Sequence, residues 1–134
     1  MVEKAALSEY LVISRGKWDE GLPAQEIQDT IDQFYVWHSQ LVAEGKMRAG
    51  QRLAPEGKLV SRSRITDGPF TETKEVVGGY WFILAESLEQ AAAIAAQNPC
   101  LACGLCLEIR PIDPVRASAF TVTTETPTAT GGAA

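Results

Sequence analysis

The stretch over residues 65–81 holds the side chains whose types and spacing best suit chemistry. Asp67 precedes Gly68 and Pro69, and this order predicts a stiff corner, because proline fixes its own φ and restricts the residue before it. Such a corner would hold the carboxylate of Asp67 at a defined point, as a general base or a ligand-orienting group. The same residues also suit a purely structural turn, since an Asp side chain can bond the backbone two residues on.

The residues after this corner form a second candidate group. Phe70 is expected to point inward as part of an apolar wall, while Glu72 and Lys74 share one side of an extended chain. A lysine beside carboxylates can hold an anionic ligand or shift the pKa of a nearby acid. The alternative is a solvated loop whose exposed ion pairs contribute little. We predict Lys74 as a catalytic partner of Asp67, with Glu72 and Phe70 binding the ligand.

The single histidine, His38, is the third candidate catalytic residue. It lies on the apolar stripe of a predicted helix, where a side chain that titrates near neutral pH could act as acid or base in a cleft. A packed histidine explains the same position. Trp37 is a candidate for the apolar wall of that cleft, for the core or for the seam between two copies of the chain, and Trp81 is a candidate for the apolar wall. Arg110 ends the last predicted strand, where it either pairs with a carboxylate or anchors an anion.

The three cysteines, Cys100, Cys103 and Cys106, have a spacing compatible with a metal or an iron–sulfur cluster. The chain has no fourth cysteine, and Cys106 falls inside the last predicted strand. We therefore predict packed thiols and no metal site. No cofactor-binding motif is present either, so any chemistry is expected to be cofactor-free.

Hydrophobic spacing predicts the first elements that position these residues. An apolar run over residues 10–15 predicts a strand. Apolar residues at three- and four-residue steps predict an amphipathic helix over residues 23–44. Pro23 suits its first helical position, which would make Leu22 the N-cap, and Gly45 ends it.

The remaining elements follow from strand and turn signals. Residues 46–54 and 58–65 are predicted to pair as a hairpin through the Pro-Glu-Gly turn between them. Residues 80–85 predict a strand, and Ser87 with Gln90 forms a capping box that begins a helix to about residue 97. Residues 105–110 predict the closing strand. An edge strand over residues 119–124 is a weaker prediction.

This order predicts an α+β, ferredoxin-like βαββαβ sheet with two helices on one face. The strand over residues 80–85 is apolar on both alternate sets, so both of its faces should be buried. We expect a second copy of the chain to cover the free face, giving a homodimer. The domain is expected to span residues 1–113, and the composition of residues 114–134, rich in Thr, Ala and Gly, predicts a flexible tail.

Composition excludes some functions. The net charge is −5 without a basic cluster, which argues against nucleic-acid binding. No segment reaches the ~20 apolar residues needed to cross a membrane. An odd cysteine count and the absence of a signal-peptide pattern favour the reducing cytoplasm.

The run ITDGPFTETKEVVGGYWFI closely resembles the signature of the DGPF branch of the YCII-related family. The stretches YLVISRGKWDEGLP, LVAEGKMRAGQRLAP and PCLACGLCLEIRPI resemble its flanks, so the likeness covers residues 7–112. The resemblance implies a dimeric α+β barrel and brings no established activity. Relatives in the wider family carry a histidine on the first helix, paired with an aspartate. Here Gln33 stands nearer that place, and His38 lies more than a turn later.

These observations predict a homodimer with a small-molecule cleft roofed by residues 67–75. The expected ligand is small and anionic or apolar, and the expected chemistry is an isomerase- or lyase-like proton transfer. The alternative is a non-catalytic binding or regulatory module, in which the signature loop builds the dimer or docks a partner.

Overall fold

The protein is described here by a computed structural model that covers residues 6–68 and 76–127. Within these residues the elements follow in the order β1 (Ser8–Arg15), α1 (Ala24–Ala43), β2 (Met47–Arg52), β3 (Lys58–Val60), β4 (Ile65–Asp67), β5 (Val77–Ala85), α2 (Leu88–Ala95), a 3₁₀ helix (Pro99–Cys103) and β6 (Cys106–Pro111).

Four of the strands form one antiparallel sheet in the order β2-β5-β1-β6. Both helices pack on the same face of this sheet, because residues of α1 and α2 contact the same buried cluster. The arrangement is the predicted ferredoxin-like α+β fold. Strand β5 pairs with β1 on one side and with β2 on the other, so it is an inner strand of the sheet.

The core lies between the sheet and the two helices. Val12 on β1 and Ile83 on β5 are fully buried, and each contributes roughly 1.5–3 kcal/mol relative to an exposed side chain. Ala91 and Ala95 let α2 approach the sheet closely. Helix α1 covers the sheet with half-buried side chains, and none of its described residues is fully buried.

The helix ends agree with prediction in part. The Ser87 hydroxyl accepts a hydrogen bond from the Gln90 backbone N–H (3.1 Å), as the capping box predicted. Gly45 ends α1 with a φ of 77°, which glycine adopts readily. The start of α1 was predicted one residue early, because Pro23 is its N-cap and the helix begins at Ala24.

The predicted stripe of α1 is also displaced. Tyr35 falls on the three- and four-residue spacing of the predicted helix but is 49% exposed, whereas Trp37 falls one position off that spacing and packs against the core. The ring of Trp37 lies 6.1 Å from that of Phe34. Spacing alone could not fix the stripe here, because residues 34, 35, 37 and 38 are all aromatic.

The predicted hairpin between residues 46–54 and 58–65 is wrong. Strand β2 pairs with β5, where Met47 faces Ile83 in the core, and β3 pairs with β4 in a separate two-stranded sheet. The reversal lies within the predicted second strand, because the Ser61 backbone N–H donates to the Arg64 carbonyl (2.9 Å) and the Ser61 hydroxyl donates to the same oxygen (3.2 Å). The pairing of β2 with β5 places Met47, which is 2% exposed, in the core.

The chain after β6 forms turns as far as residue 127, so the strand predicted over residues 119–124 is wrong. Local side-chain bonds replace strand pairing. Phe120 N–H donates to the Ser118 hydroxyl (3.2 Å), and Thr123 N–H donates to the Thr126 hydroxyl (2.8 Å). The predicted boundary at residue 113 remains a prediction.

The second face of the sheet is left uncovered by the described residues. Its centre holds half-buried apolar side chains, namely Leu11, Ile13, Phe82 and Leu84. Ion pairs flank them, with Arg48 bonded to Glu9 (2.9 Å) and Arg15 bonded to Glu108 (2.9 Å). We call this surface the open face. Neither described α-helix has the length and apolar character that a membrane span requires.

Candidate functional site

A cavity of about 530 Å³ lies between α1, the sheet and the 3₁₀ helix. This volume falls in the range of small-molecule sites, which is roughly 300–1,000 Å³. The side chains around it are mostly apolar or aromatic. Its lining comprises Ser14, Trp18, Ile31, Phe34, Tyr35, His38, Ala49, Gly50, Gln51, Arg52, Gly79, Tyr80, Trp81, Asn98, Cys100 and Leu105.

Two glycines shape the wall where β2 meets β5. The register of this pair shifts between Arg48 and Gln51, so Gly50 lies in a bulge. A Cβ on Gly50 would collide with the Tyr80 carbonyl. A Cβ on Gly79 would lie 2.9 Å from the Gln51 carbonyl oxygen. The glycines therefore permit the close approach of the two strands.

His38 lies in the aromatic part of the cavity. Its ring centroid is 5.4 Å from that of Phe34 and 6.0 Å from that of Trp81, which it meets edge-on. Burial lowers the pKa of His38 below its ordinary value of 6.5, so the imidazole is neutral at pH 7. A neutral imidazole carries one acceptor and one donor nitrogen, so it can take or give a proton.

The structure brings one of the two predicted tryptophans to this site. Trp81 is 8% exposed and lines the cavity beside His38. Trp37 instead lines a second cavity of about 390 Å³ along α1. The indole nitrogens of both residues are buried without a hydrogen-bond partner among the described residues.

Two polar residues of the lining were missed by sequence reasoning. Asn98 follows α2, is 4% exposed and lines the cavity. Its side-chain oxygen accepts a hydrogen bond from the Cys100 backbone N–H (2.8 Å). Arg52, the last residue of β2, also lines the cavity. It follows the bulge at Gly50, which was not predicted from the sequence.

The cysteines differ in burial. Cys100 and Cys103 are buried and free, whereas Cys106 is exposed. Burial and the neighbouring Cys103 raise the pKa of Cys100 to about 11, so its thiol stays protonated at neutral pH. The Cys103 sulfur lies 3.4 Å from the Thr30 hydroxyl. Among residues 6–68 and 76–127, no group of three or more His, Cys, Asp or Glu side chains is arranged to hold a metal.

The other predicted site residues lie elsewhere. Asp67 ends β4, is bonded by the Lys58 ammonium group and has a side chain 78% exposed, away from the cavity lining. Arg110 donates to Glu108 (3.1 Å) on the open face. Phe70, Glu72 and Lys74 lie outside the described residues. The structure thus groups His38 with Trp81 and separates both from Asp67 and Arg110.

Comparison with known proteins gives one clear family match. A solved structure of TftG, the 5-chloro-2-hydroxyhydroquinone dehydrochlorinase of Burkholderia phenoliruptrix AC1100, in complex with 2,5-dihydroxybenzoquinone, is similar at a TM-score of 0.43. Its identity is 18%, over 78% of this chain and 93% of that chain. Among curated proteins none matches. The profile of the YCII-related domain matches residues 9–116, and the chain therefore belongs to the YCII-related family.

Proposed function

We propose that this chain is a small-molecule-binding protein of the DGPF branch that works as a homodimer, with its ligand in the cavity between α1 and the sheet. The observation that carries the proposal is the cavity of about 530 Å³ in which the ring of His38 lies among aromatic side chains. An apolar pocket with few polar groups and a desolvated titratable residue is typical of a ligand site.

His38 is the residue we assign to acid–base chemistry in this cavity. Its neutral imidazole can remove a proton from a bound carbon or oxygen acid and return it at another atom, which needs no cofactor. Return of the proton to another atom of the ligand is an isomerase-like step, and its transfer to a group that departs with the electron pair of its bond to the ligand is a lyase-like step. Trp81 and Phe34 would hold the ligand beside the ring and exclude water from it.

The segment over residues 67–75 keeps its proposed role as the roof of the cleft. In this role Asp67 and Lys74 supply further acid–base groups, and Glu72 and Phe70 contact the ligand. The support is the spacing of these residues in the sequence. Asp67 lies at the end of β4, so the segment that follows it begins on the two-stranded sheet.

A homodimer through the open face explains why apolar residues occupy that face. Leu11, Ile13, Phe82 and Leu84 are half-buried before any partner covers them. The flanking ion pairs Arg48–Glu9 and Arg15–Glu108 form a polar rim around them. An apolar centre with a polar rim is the usual composition of a protein interface.

The dimer has a direct test by sedimentation velocity. Phe82→Asp places a charge in the centre of the open face and should convert dimer to monomer. Val36→Asp is the matched control, because Val36 is 70% exposed on α1, outside the open face. Dimer retention in Phe82→Asp with a normal circular dichroism spectrum would contradict this interface.

The second candidate function is a non-catalytic binding or regulatory module. One observation favours it: β3 and β4 pair with each other, and their residues Leu59, Val60 and Ile65 are all more than half exposed. A projecting hairpin with exposed apolar side chains is suited to docking. In this function the hairpin would dock on a second copy of the chain. Asp67 would then have a structural role, through its ion pair with Lys58 in the hairpin.

A ligand screen by thermal shift, followed by proton exchange in D₂O, separates the two functions. For a ligand that stabilises the wild type, the acid–base proposal predicts deuterium incorporation at its acidic C–H position. His38→Gln should keep binding and abolish exchange. The binding-module alternative predicts binding without exchange in either protein. If no compound stabilises the wild type, or if every stabilising compound acts equally after Phe34→Ala and Trp81→Ala, the cavity is not the site.

A further inference from the structure

We infer that the cavity selects a planar aromatic carboxylate, with Arg52 as the charge anchor and Asn98 as a second hydrogen-bond donor. This rests on the proposed function, since it names the ligand class of the same cavity. Three properties of the lining support it: the shape of the apolar wall, the sign of the charge and the kind of polar group that is left unused.

The apolar wall is built from rings. Phe34 is 5.2 Å from Trp81 at an interplanar angle of 58°, and 5.3 Å from Tyr35 at 70°. Trp18 lines the same cavity from the loop after β1. Aromatic rings prefer offset or edge-to-face contacts with other rings. A flat aromatic ligand offers both of its faces and its edge to such a wall.

The charge of the lining is positive. Arg52 is its charged residue, because the described lining contains no Asp, Glu or Lys and the His38 imidazole is neutral. No described carboxylate forms an ion pair with Arg52, although acidic residues outnumber basic ones 17 to 12 in the chain. A guanidinium presents two parallel N–H groups that match the two oxygens of a carboxylate. A cationic ligand would be repelled at the same place.

The lining also offers hydrogen-bond donors without a partner among the described residues: the buried Trp81 indole N–H is one, and the NH₂ group of Asn98 is another. Asn98 is 4% exposed, and its oxygen is committed to the Cys100 N–H. No described residue accepts a hydrogen bond from its NH₂ group. A donor at an apolar wall must find another partner when a ligand displaces water, so a ligand oxygen that accepts from it avoids the penalty of an unmade bond. The cavity therefore favours ligands with acceptor oxygens, which a carboxylate or a ring oxygen provides.

The test compares two probes of the same shape, 2-naphthoate and 2-naphthamide, by isothermal titration calorimetry. The wild type should bind naphthoate at least tenfold more tightly than naphthamide. Arg52→Gln should remove this preference while keeping naphthamide binding, and Arg52→Lys should restore part of it. Raising the salt concentration should weaken naphthoate more than naphthamide, because Arg52 is exposed to solvent at the edge of the cavity.

Asn98→Asp tests the donor separately. An aspartate can still accept the Cys100 N–H bond, so the local turn is kept, but it removes the NH₂ donor and adds a negative charge. Naphthoate binding should fall at least tenfold and naphthamide binding by less, with an unchanged circular dichroism spectrum. Gln97→Glu is the control, because it adds the same charge at an exposed neighbouring position and should leave both affinities within a factor of two.

The outcomes separate the inference from the proposed function. Equal affinity of the wild type for the two probes, or an unchanged preference in Arg52→Gln, overturns the carboxylate inference and leaves the small-molecule site intact. If neither probe binds at millimolar concentration, the inference fails together with the aromatic site on which it rests. A tenfold preference that disappears in Arg52→Gln supports both.

Discussion

The four-stranded sheet and the β3–β4 hairpin use the same residue types in opposite ways. Val12 and Ile83 of the sheet are fully buried, whereas Val60 and Ile65 of the hairpin are 71% and 63% exposed. The difference comes from what covers each strand. Two helices pack on the sheet, whereas β3 and β4 contact mainly each other. A strand-like sequence therefore predicts extended chain, and its burial depends on a partner element.

The same contrast divides the candidate site. The cavity with His38 and Trp81 lies between the four-stranded sheet and the helices packed on it, where side chains are held by their neighbours. Asp67 belongs to the hairpin, where its partner is the exposed Lys58. The sheet and its helices can hold a ligand in a fixed geometry with the described residues alone.

The largest expected effect contrasts one isoleucine from each region. Ile83→Ala removes a fully buried side chain and should lower the free energy of unfolding by about 2–5 kcal/mol. Ile65→Ala makes the same change in the hairpin and should alter it by less than about 0.5 kcal/mol. Urea denaturation followed by circular dichroism measures both. Equal losses would show that the hairpin is as well packed as the sheet.

The next effect concerns the two glycines of β2 and β5. Gly50→Ala places a methyl group against the Tyr80 carbonyl and should cost about 1–3 kcal/mol through displacement of β2. It should also weaken ligand binding, since Gly50 lines the cavity. Gly78→Ala is the control, because a Cβ there meets nothing within 4 Å. Thermal unfolding of the two variants side by side checks the difference, and a Gly50→Ala protein as stable as Gly78→Ala would refute the close approach.

A smaller effect is expected from the protonation of His38. Its folded-state pKa lies below its unfolded value of 6.5, so the unfolded chain binds the proton more readily. This contribution to stability is fully present above pH 6.5 and is lost as pH falls through the folded pKa, with a slope of at most about 1.4 kcal/mol per pH unit. His38→Gln should remove this part of the slope.

Urea titrations of the wild type and His38→Gln between pH 5 and pH 8 measure that difference. The two curves should run parallel above the unfolded pKa and converge or cross below it. Parallel curves over the whole range would mean that the imidazole is as well solvated in the folded protein as in the unfolded chain.

The smallest expected effect is that of the exposed ion pair between Lys58 and Asp67. Asp67→Asn should change the free energy of unfolding by about 0–1 kcal/mol, because both side chains are mostly exposed. Activity, once a ligand is known, is the informative readout. Loss of proton exchange with an unchanged unfolding curve would give Asp67 the catalytic role proposed from the sequence, and unchanged exchange would restrict it to the hairpin.

The elements that could be predicted from the sequence are those in which packing and local signals agree. The capping box at Ser87, the glycine after α1 and the apolar run of β5 each identify one element, and together they indicate the fold. The strand β2 was predicted, but its pairing was wrong: Met47 faces Ile83 of β5 in the core, whereas the nearest turn signal had indicated pairing with the segment after the turn. The Pro-Glu-Gly stretch favours a turn, but a turn does not require that the strands before and after it pair with each other.

The cavity was only partly predictable for the same reason. His38 and Trp81 were named from their residue types, and the helix and strand that carry them were also predicted. Asn98 and Arg52 were not, because Asn98 caps the 3₁₀ helix and Arg52 follows the bulge in β2, and neither the 3₁₀ helix nor the bulge was predicted. Asp67 was a prominent candidate because it stands in a sequence that strongly favours a turn. Such a sequence predicts the turn and does not show whether the turn lies beside the cavity.

The most direct test of the central claim is the mapping of a bound ligand by two-dimensional NMR on the isotope-labelled protein. With 2-naphthoate as the probe, we expect shift changes at the Trp81 indole, the His38 ring and the Asn98 side-chain amide. The Lys58 and Asp67 amides of the hairpin should stay unchanged. Shift changes confined to the hairpin, with none at His38 or Trp81, would contradict the assignment of the cavity as the binding site.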